Sequence, residues 1–349
     1  MEGSLVQATK GRLLLVLAIG LLLLFFLLVL SWSVGAVDIS FTNVLNDLWY
    51  IITHFGPDAH NPEQQIVWSR VVRSVAVIGV GIGLSVSGAV MQALIRNPLV
   101  DPYITGVSSG AALGAILSIM AGVSIVALAD FATPIAALIG ALAAFFITMA
   151  LAESAGGKSI NFVLSGMIVG IALSSFTTII ITSSSQESKL HGALFWLYGS
   201  FAAITWTKAL IIILTVLAIS LILLFYAREL NVILLGDEHA KHLGLDVKLF
   251  KRIIVALTSI LTAISVAFCG VIGFLGLIVP HTSRMIVGGD HRLLLPTSMV
   301  LGAVVLLAAD IFARVVVRPN ELAIGAVVSL VGAPFFIYLM IKRRKEYAG

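Results

Sequence analysis

The run Leu234–Val247, LLGDEHAKHLGLDV, sets Asp237, Glu238, His239, Lys241 and His242 side by side in an otherwise apolar chain. Glu238 and His242 are spaced i,i+4, and His239 and His242 i,i+3, so one helix face brings them within reach of a metal ion. Lys241 lies between them, however, and no residue nearby is placed to orient the ligands, as metal sites require. The other reading is a short charged knob for a partner to grip. Asp237 suits a helix N-cap and Gly244 a helix stop. The resulting helix of about two turns is marginal alone in water, so neighbouring loops or a docked partner must hold it.

Three further groups could do chemistry. Ala152–Ser159, AESAGGKS, imitates a phosphate-binding loop. That motif needs a glycine where Ala152 stands and a preceding strand. Neither is present, so no ATPase is expected in this chain. Leu306–Gly325 holds Asp310, Arg314, Arg318 and Glu321. Asp310 and Arg314 can pair across one helical turn, or Arg314 and Arg318 can join Arg70 and Arg73 in a basic rim that receives an acidic partner. His281, just after Pro280, is a proton relay or, more commonly, a helix-end group bonded to a backbone carbonyl.

The elements that position these residues follow from composition. Of 349 residues, 60% are hydrophobic and 11% charged, and the mean hydropathy is +1.11. That is a polytopic membrane protein. Apolar runs of about 20 residues indicate helices and not barrel strands. Spans are expected near 13–36, 74–95, 104–128, 131–152, 160–182, 209–227, 293–313 and 322–341. The run 253–288 is too long for one crossing and is punctuated by Gly270, Gly273 and Gly276, so it is split near Gly270–Ile272. The total is about ten helices in one transmembrane domain, residues 1–349. The first apolar run, Leu13–Leu30, exceeds a typical signal-peptide core and is read as a span. An even count puts both termini on one side. With that side cytoplasmic, 15 of the 21 Lys and Arg residues lie inside, as the positive-inside rule requires. An outer loop is expected over 37–69, a cytoplasmic loop over 228–252 and a basic cytoplasmic tail over 342–349. Ser183–Lys208 reads as an outer interfacial helix. Arg70, Gly88 and Pro98 recur at one offset as Arg252, Gly270 and Pro280, which hints at an inverted repeat. Cys269 is the only cysteine, so no intramolecular disulfide forms. Basic residues scattered through loops disfavour nucleic acid as a partner. No HExxH motif, paired catalytic carboxylates or nucleophile–base pair suggests an enzyme.

Residues 66–345 resemble the permease subunit of type II ABC importers for iron–siderophore, heme and cobalamin. The blocks SGAVMQALIRNPLVDPYITGVSSGAALGA, LLGDEHAKHLGLDV, GVIGFLGLIVPHTSRMIVGGDHRLLLPTSMVLGA and ELAIGAVVSLVGAPFFIYLM occur in that family's order. The resemblance implies an all-α permease fold of ten transmembrane helices per subunit, in the plasma (inner) membrane. It implies a second permease subunit, expected as a homodimer, two cytoplasmic ATPase subunits that bind ATP and Mg, and an extracytoplasmic solute-binding protein. No cofactor is implied in this chain. Gly236, Asp237, Glu238, His239, Ala240, Lys241, His242, Leu243 and Gly244 would form the helix that couples to the ATPase. Arg70, Arg73 and Arg314, with Arg318 as an extra basic group, would meet acidic residues of the binding protein. Gly157, Lys158 and Ser159 would sit at the inner gate. Ser165, Ser174, Ser175, Thr177 and Thr178 would line the pathway. The rival is an ion-coupled secondary transporter, which the inverted-repeat hint and His281 allow. It is disfavoured because few acids lie at the membrane midplane, where ion-coupled carriers need them.

Overall fold

The structure, a computed structural model, describes residues 2–122 and 129–347. Among these residues it is all helical. The helices are α1 (Glu2–Ser33), α2 (Phe41–Thr53), α3 (Pro62–Ile95), α4 (Val107–Ala121), α5 (Ala132–Ser154), α6 (Ser159–Thr182) and α7 (Glu187–Leu197). They continue as α8 (Trp206–Phe225), α9 (Ala227–Leu234), α10 (Asp237–His242), α11 (Val247–Cys269), α12 (Leu275–Val287), α13 (His291–Val315) and α14 (Ile324–Tyr347). Seven carry an apolar stretch long enough to cross a bilayer, and α4, α12 and the first part of α14 are shorter apolar helices. Together they match the expected ten. The last residues of the expected span 104–128 lie outside the described residues, as do 348–349 of the basic tail; α14 runs on as far as Tyr347.

Buried α3 is the hub of the bundle, packing against α13, α8, α12 and α11. Its start is set by Asn61, whose side chain accepts from the backbone N–H groups of Glu63 and Gln64, with Pro62 in the first turn. Its end is set by Arg96 in the left-handed conformation, after which Asn97 accepts from Leu99 N at 2.9 Å and Pro98 cannot continue the helix. Small residues let α3 approach its neighbours closely. At Gly88 a Cβ would collide with the backbone carbonyl of Gly276 on α12, the small-residue contact expected between membrane helices.

Several expectations are corrected. The segment 37–69 is mostly helix: α2 fills its centre and α3 begins at Pro62. Helix α2 packs Val44 and Ile51 against Val67, and turns Leu45, Trp49 and Ile52 outward. The break in 253–288 falls at residues 270–274, as expected, but Gly270 and Gly273 lie in it and only Gly276 is on α12. Pro280 sits inside α12, so His281 after it is within the helix and not at a helix end. The two halves of the proposed repeat also use their glycines differently. Gly88 is mid-helix, whereas Gly270 has φ +75° and ends α11 beside the Trp196 carbonyl. The interfacial helix expected in 183–208 is α7. The chain after it lies between two other breaks: Ser200 N donates to Cys269 O at 2.8 Å, and Ile324 N to Gly199 O at 3.1 Å. Tyr103 closes this region, its hydroxyl donating to Ile272 O at 2.9 Å and accepting from Ile272 N at 3.2 Å.

Candidate functional site

At the end of the bundle that the charge count assigns to the cytoplasm, α10 projects between α9 and α11. Its N-cap is Gly236 and not Asp237, which is the first helical residue. Gly244, with φ +88°, stops it as expected: Gly244 N donates to Lys241 O at 2.9 Å and Leu245 N to Ala240 O at 3.0 Å, the paired bonds of a Schellman motif. A six-residue helix needs tertiary support, and two features supply it. Ala240 is fully buried. Asp237 is bound from both sides, by Lys251 Nζ at 2.6 Å and Arg96 Nη2 at 3.2 Å. Glu238, His239, Lys241, His242 and Leu243 all remain exposed, and Leu234 and Leu235 add apolar surface beside them. Among the described residues no group of three or more His, Cys, Asp or Glu side chains is gathered to hold a metal ion.

Lys251, which holds Asp237 of α10, also lines a cavity of about 310 Å³. Leu94, Met149, Phe162 and Val255 form its apolar floor, and Lys248, Lys251, Arg252 and Glu153 its charged mouth. Gly157 and Ser159 of the inner turn line it, whereas Lys158 does not. The turn joins α5 directly to α6 with no strand before it, which excludes the phosphate-loop reading. Arg252 pairs with Glu153 at 2.7 Å, and Lys251 also reaches Ser159 Oγ at 3.3 Å.

Along α6 runs an open groove of about 630 Å³, lined by Ser109, Gly170, Ser174, Ser175 and Thr178 together with Asp101 and Tyr103. Ser174 donates to Ser109 at 3.2 Å across it. Of the five hydroxyl residues expected to line a pathway, these three on α6 face the groove. Ser165 and Thr177 are buried on the packed side, where Thr177 donates to its own helix at Leu173 O. Burial pushes the Asp101 carboxyl up to about 6, against the opposing hydrogen bond from Tyr103 N.

At the far end, three arginines expected on an open rim are instead committed inside the protein. Arg70 donates to Trp32 O at 2.8 Å and Ser33 O at 3.1 Å. Arg314 donates to Ser31 O and Val34 O, both at 3.2 Å, and to Ser31 Oγ at 2.7 Å. The carbonyls of Ser31, Trp32 and Ser33 are the last of α1 and that of Val34 follows it, so they have no partner within the helix. Arg73 and Arg314 converge on the fully buried Asp310, at 2.9 and 3.1 Å, and Arg73 also meets Glu321 at 2.7 Å. The i,i+4 pairing of Asp310 with Arg314 is thus present. Of the four arginines, Arg318 is the most open, a third exposed and paired with Asp38 at 2.9 Å. Sequence reasoning missed Lys251, Arg96 and Glu153, which have no local signal because their partners lie 14, 141 and 99 residues away.

The profile of the FecCD transport family matches residues 22–342. The cobalamin import system permease of Halobacterium salinarum is 42% identical over 275 residues, covering 78% of this chain and 72% of that one. The hemin transport system permease of Yersinia pestis is 37% identical, covering 96% of this chain and 98% of its own. The Fe(3+)-citrate import system permease of Bacillus subtilis is 37% identical, with 99% of both chains covered. A solved structure of a metal-chelate type ABC transporter in an inward-facing conformation superposes with a TM-score of 0.82 at 33% identity, covering 93% of this chain and 98% of that one.

Proposed function

This chain belongs to the FecCD transport family, and on that premise we propose that it carries a metal chelate of the siderophore, heme or cobalamin class into the cytoplasm, driven by ATP hydrolysis in a partner chain. It is a multi-pass membrane protein and the permease subunit of an ABC importer. The single observation that carries the mechanism is α10, a short helix held from behind by Ala240, Lys251 and Arg96 while Glu238, His239, Lys241, His242 and Leu243 face outward. A knob so anchored moves only with the helices that hold it, so a partner that grips it moves the bundle. The partner is an ATPase that binds ATP and Mg²⁺, two copies serving two permease subunits in the inner membrane with their termini in the cytoplasm. A homodimer is the simplest arrangement. The groove of small and hydroxyl side chains on α6 is the pathway wall, suited to a bulky cargo because it offers no strong site to retain it. The turn Gly157–Ser159 is the inner gate. At the opposite face an acidic solute-binding protein docks near Arg318, with Arg70, Arg73 and Arg314 behind it.

The test is reconstitution of the permease with its ATPase and binding protein in liposomes, supplied in turn with cyanocobalamin, hemin and ferric citrate. Glu238→Lys with His242→Glu is expected to abolish binding-protein-stimulated uptake of whichever cargo the wild type carries. Uptake at the wild-type rate refutes the proposal.

A further inference from the structure

We infer that Lys251 is the positioning residue that transmits movement of α10 to α6, so that gripping the knob pulls on the helix that walls the groove. The inference rests on the reading of α10 as the ATPase contact and deepens it. Lys251 stands in the first turns of α11 and bridges the two other helices. Its ammonium donates to Asp237 Oδ2 on α10 at 2.6 Å and to Ser159 Oγ, the first residue of α6, at 3.3 Å. The side chain is four-fifths buried, at 20% exposure, so its stem is confined at the mouth of the cavity and the ammonium has little freedom to leave. Asp237 is held on its other oxygen by Arg96, the residue that ends α3. The four groups form a chain from the buried hub through α10 and α11 to α6.

The direction of the coupling follows from what each element can do. Helix α3 is almost wholly buried and packs most heavily on α13, α8, α12 and α11. Helix α6 is largely exposed along its length, and the turn before it contains Gly156 and Gly157 at φ +102° and +68°. Backbone at such angles is sterically open to glycine, so this turn can absorb a change that the hub cannot. A displacement of Asp237 therefore has two outlets, one into rigid α3 and one through Lys251 into α6. Coupling between sites needs an element that both of them bias. Here that element is α6, which carries Ser159 at one end of the cavity and Ser174, Ser175 and Thr178 along the groove.

The experiment uses the full permease–ATPase complex in nanodiscs, with Cys269→Ala as background and spin labels attached at pairs of introduced cysteines. Gly289→Cys, in the exposed turn before α13 where added side-chain atoms meet nothing, is the fixed reference. Leu234→Cys, at the exposed end of α9 directly before α10 and outside the set of side chains offered to the ATPase, reports α10, and Ile160→Cys reports the first turn of α6. Distances are measured without nucleotide and with ATP and vanadate. In the wild-type background both the 234–289 and the 160–289 distances are expected to shift. Lys251→Met is expected to keep the 234–289 shift and lose the 160–289 shift, and Lys251→Arg, which can still bridge, is expected to retain both. Ser159→Ala, which removes one hydroxyl, is expected to reduce the 160–289 shift as well. A full 160–289 shift in Lys251→Met and Ser159→Ala overturns the inference while leaving α10 as the ATPase contact. A wild-type complex in which 234–289 does not change overturns that contact itself, and the inference with it.

Discussion

Asp310→Asn isolates the electrostatic core of the far end. The carboxylate is fully buried and accepts from Arg73 Nε and Nη2, each at 2.9 Å, and from Arg314 Nε at 3.1 Å. The amide keeps the shape but removes the charge and turns an N–H₂ toward a donor. Arg314, 5% exposed, is left with backbone carbonyls and one hydroxyl, and Arg73 with Glu321 alone. Breaking a buried pair by removing one partner costs about 3–5 kcal/mol, because the remaining charge has lost its compensation. Glu321→Gln is the internal scale. Its side chain is 33% exposed and makes one contact to Arg73, so water replaces much of what is lost and the cost is about 1 kcal/mol. Thermal unfolding of detergent-purified protein, followed by tryptophan fluorescence, is expected to show Tm lowered by roughly 10 °C for Asp310→Asn and about 2–3 °C for Glu321→Gln. The pair Asp310→Leu with Arg314→Met removes one acid and one base together and leaves Arg73 paired with Glu321, so it is expected to recover part of the loss. If Asp310→Asn is no worse than Glu321→Gln, or if the double variant is no better than Asp310→Asn, the cluster does not act as a buried charge network.

Three further outcomes are expected. Gly88→Ala drives a methyl into the Gly276 carbonyl. Backbone cannot yield as a side chain does, so a loss of about 1–3 kcal/mol or more is expected in the same unfolding assay, whereas Gly289→Ala, with nothing nearby, is silent. Ser174→Trp places a large ring in the groove and is expected to reduce reconstituted uptake at least tenfold while ATPase co-purification stays unchanged; normal uptake would remove the groove from the pathway. Asp290 is held down to about 2 chiefly by its hydrogen bonds from Arg292, against the opposing effect of burial. A depressed carboxyl stabilises the fold above the unfolded value near 4 and loses that contribution as pH falls toward 2. With Arg292 59% exposed, solvent screening limits the effect to about 1 kcal/mol. Asp290→Asn should flatten the acid side of the stability–pH curve, and an unchanged curve would contradict the assignment.

The ten spans were legible because a bilayer demands a length and a composition that appear in the chain itself. The break at 270–274 was legible for a similar reason, since glycine at a positive φ is a local requirement. The Asp310–Arg314 pair was within reach of an i,i+4 rule. Arg70 and Arg73 were not, because what they bind lies elsewhere: the α1 carbonyls are 37 and 38 residues from Arg70, and Asp310 is 237 from Arg73. A single sequence displays the charge of an arginine but not the helix end that consumes its donors, so a buried cluster reads as an open rim. Helix α6 shows the same limit in a sharper form. At about 100° per residue, Phe162, Ser165, Val169 and Thr177 fall on one arc of the helix, and Met167, Gly170, Ile171, Ser174, Ser175 and Thr178 on the adjoining one, with Gly166 at the border between them. The structure buries the first set and opens the second onto the groove. Period alone separates the two arcs. It cannot say which faces inward, because in a membrane lipid and protein are equally apolar and each arc carries the same mixture of small, hydroxyl and aliphatic residues. In water, polarity would have distinguished the two arcs. Here only the packing of α6 against α4 and α5 does so, and that is why Ser165 and Thr177 read like pathway residues.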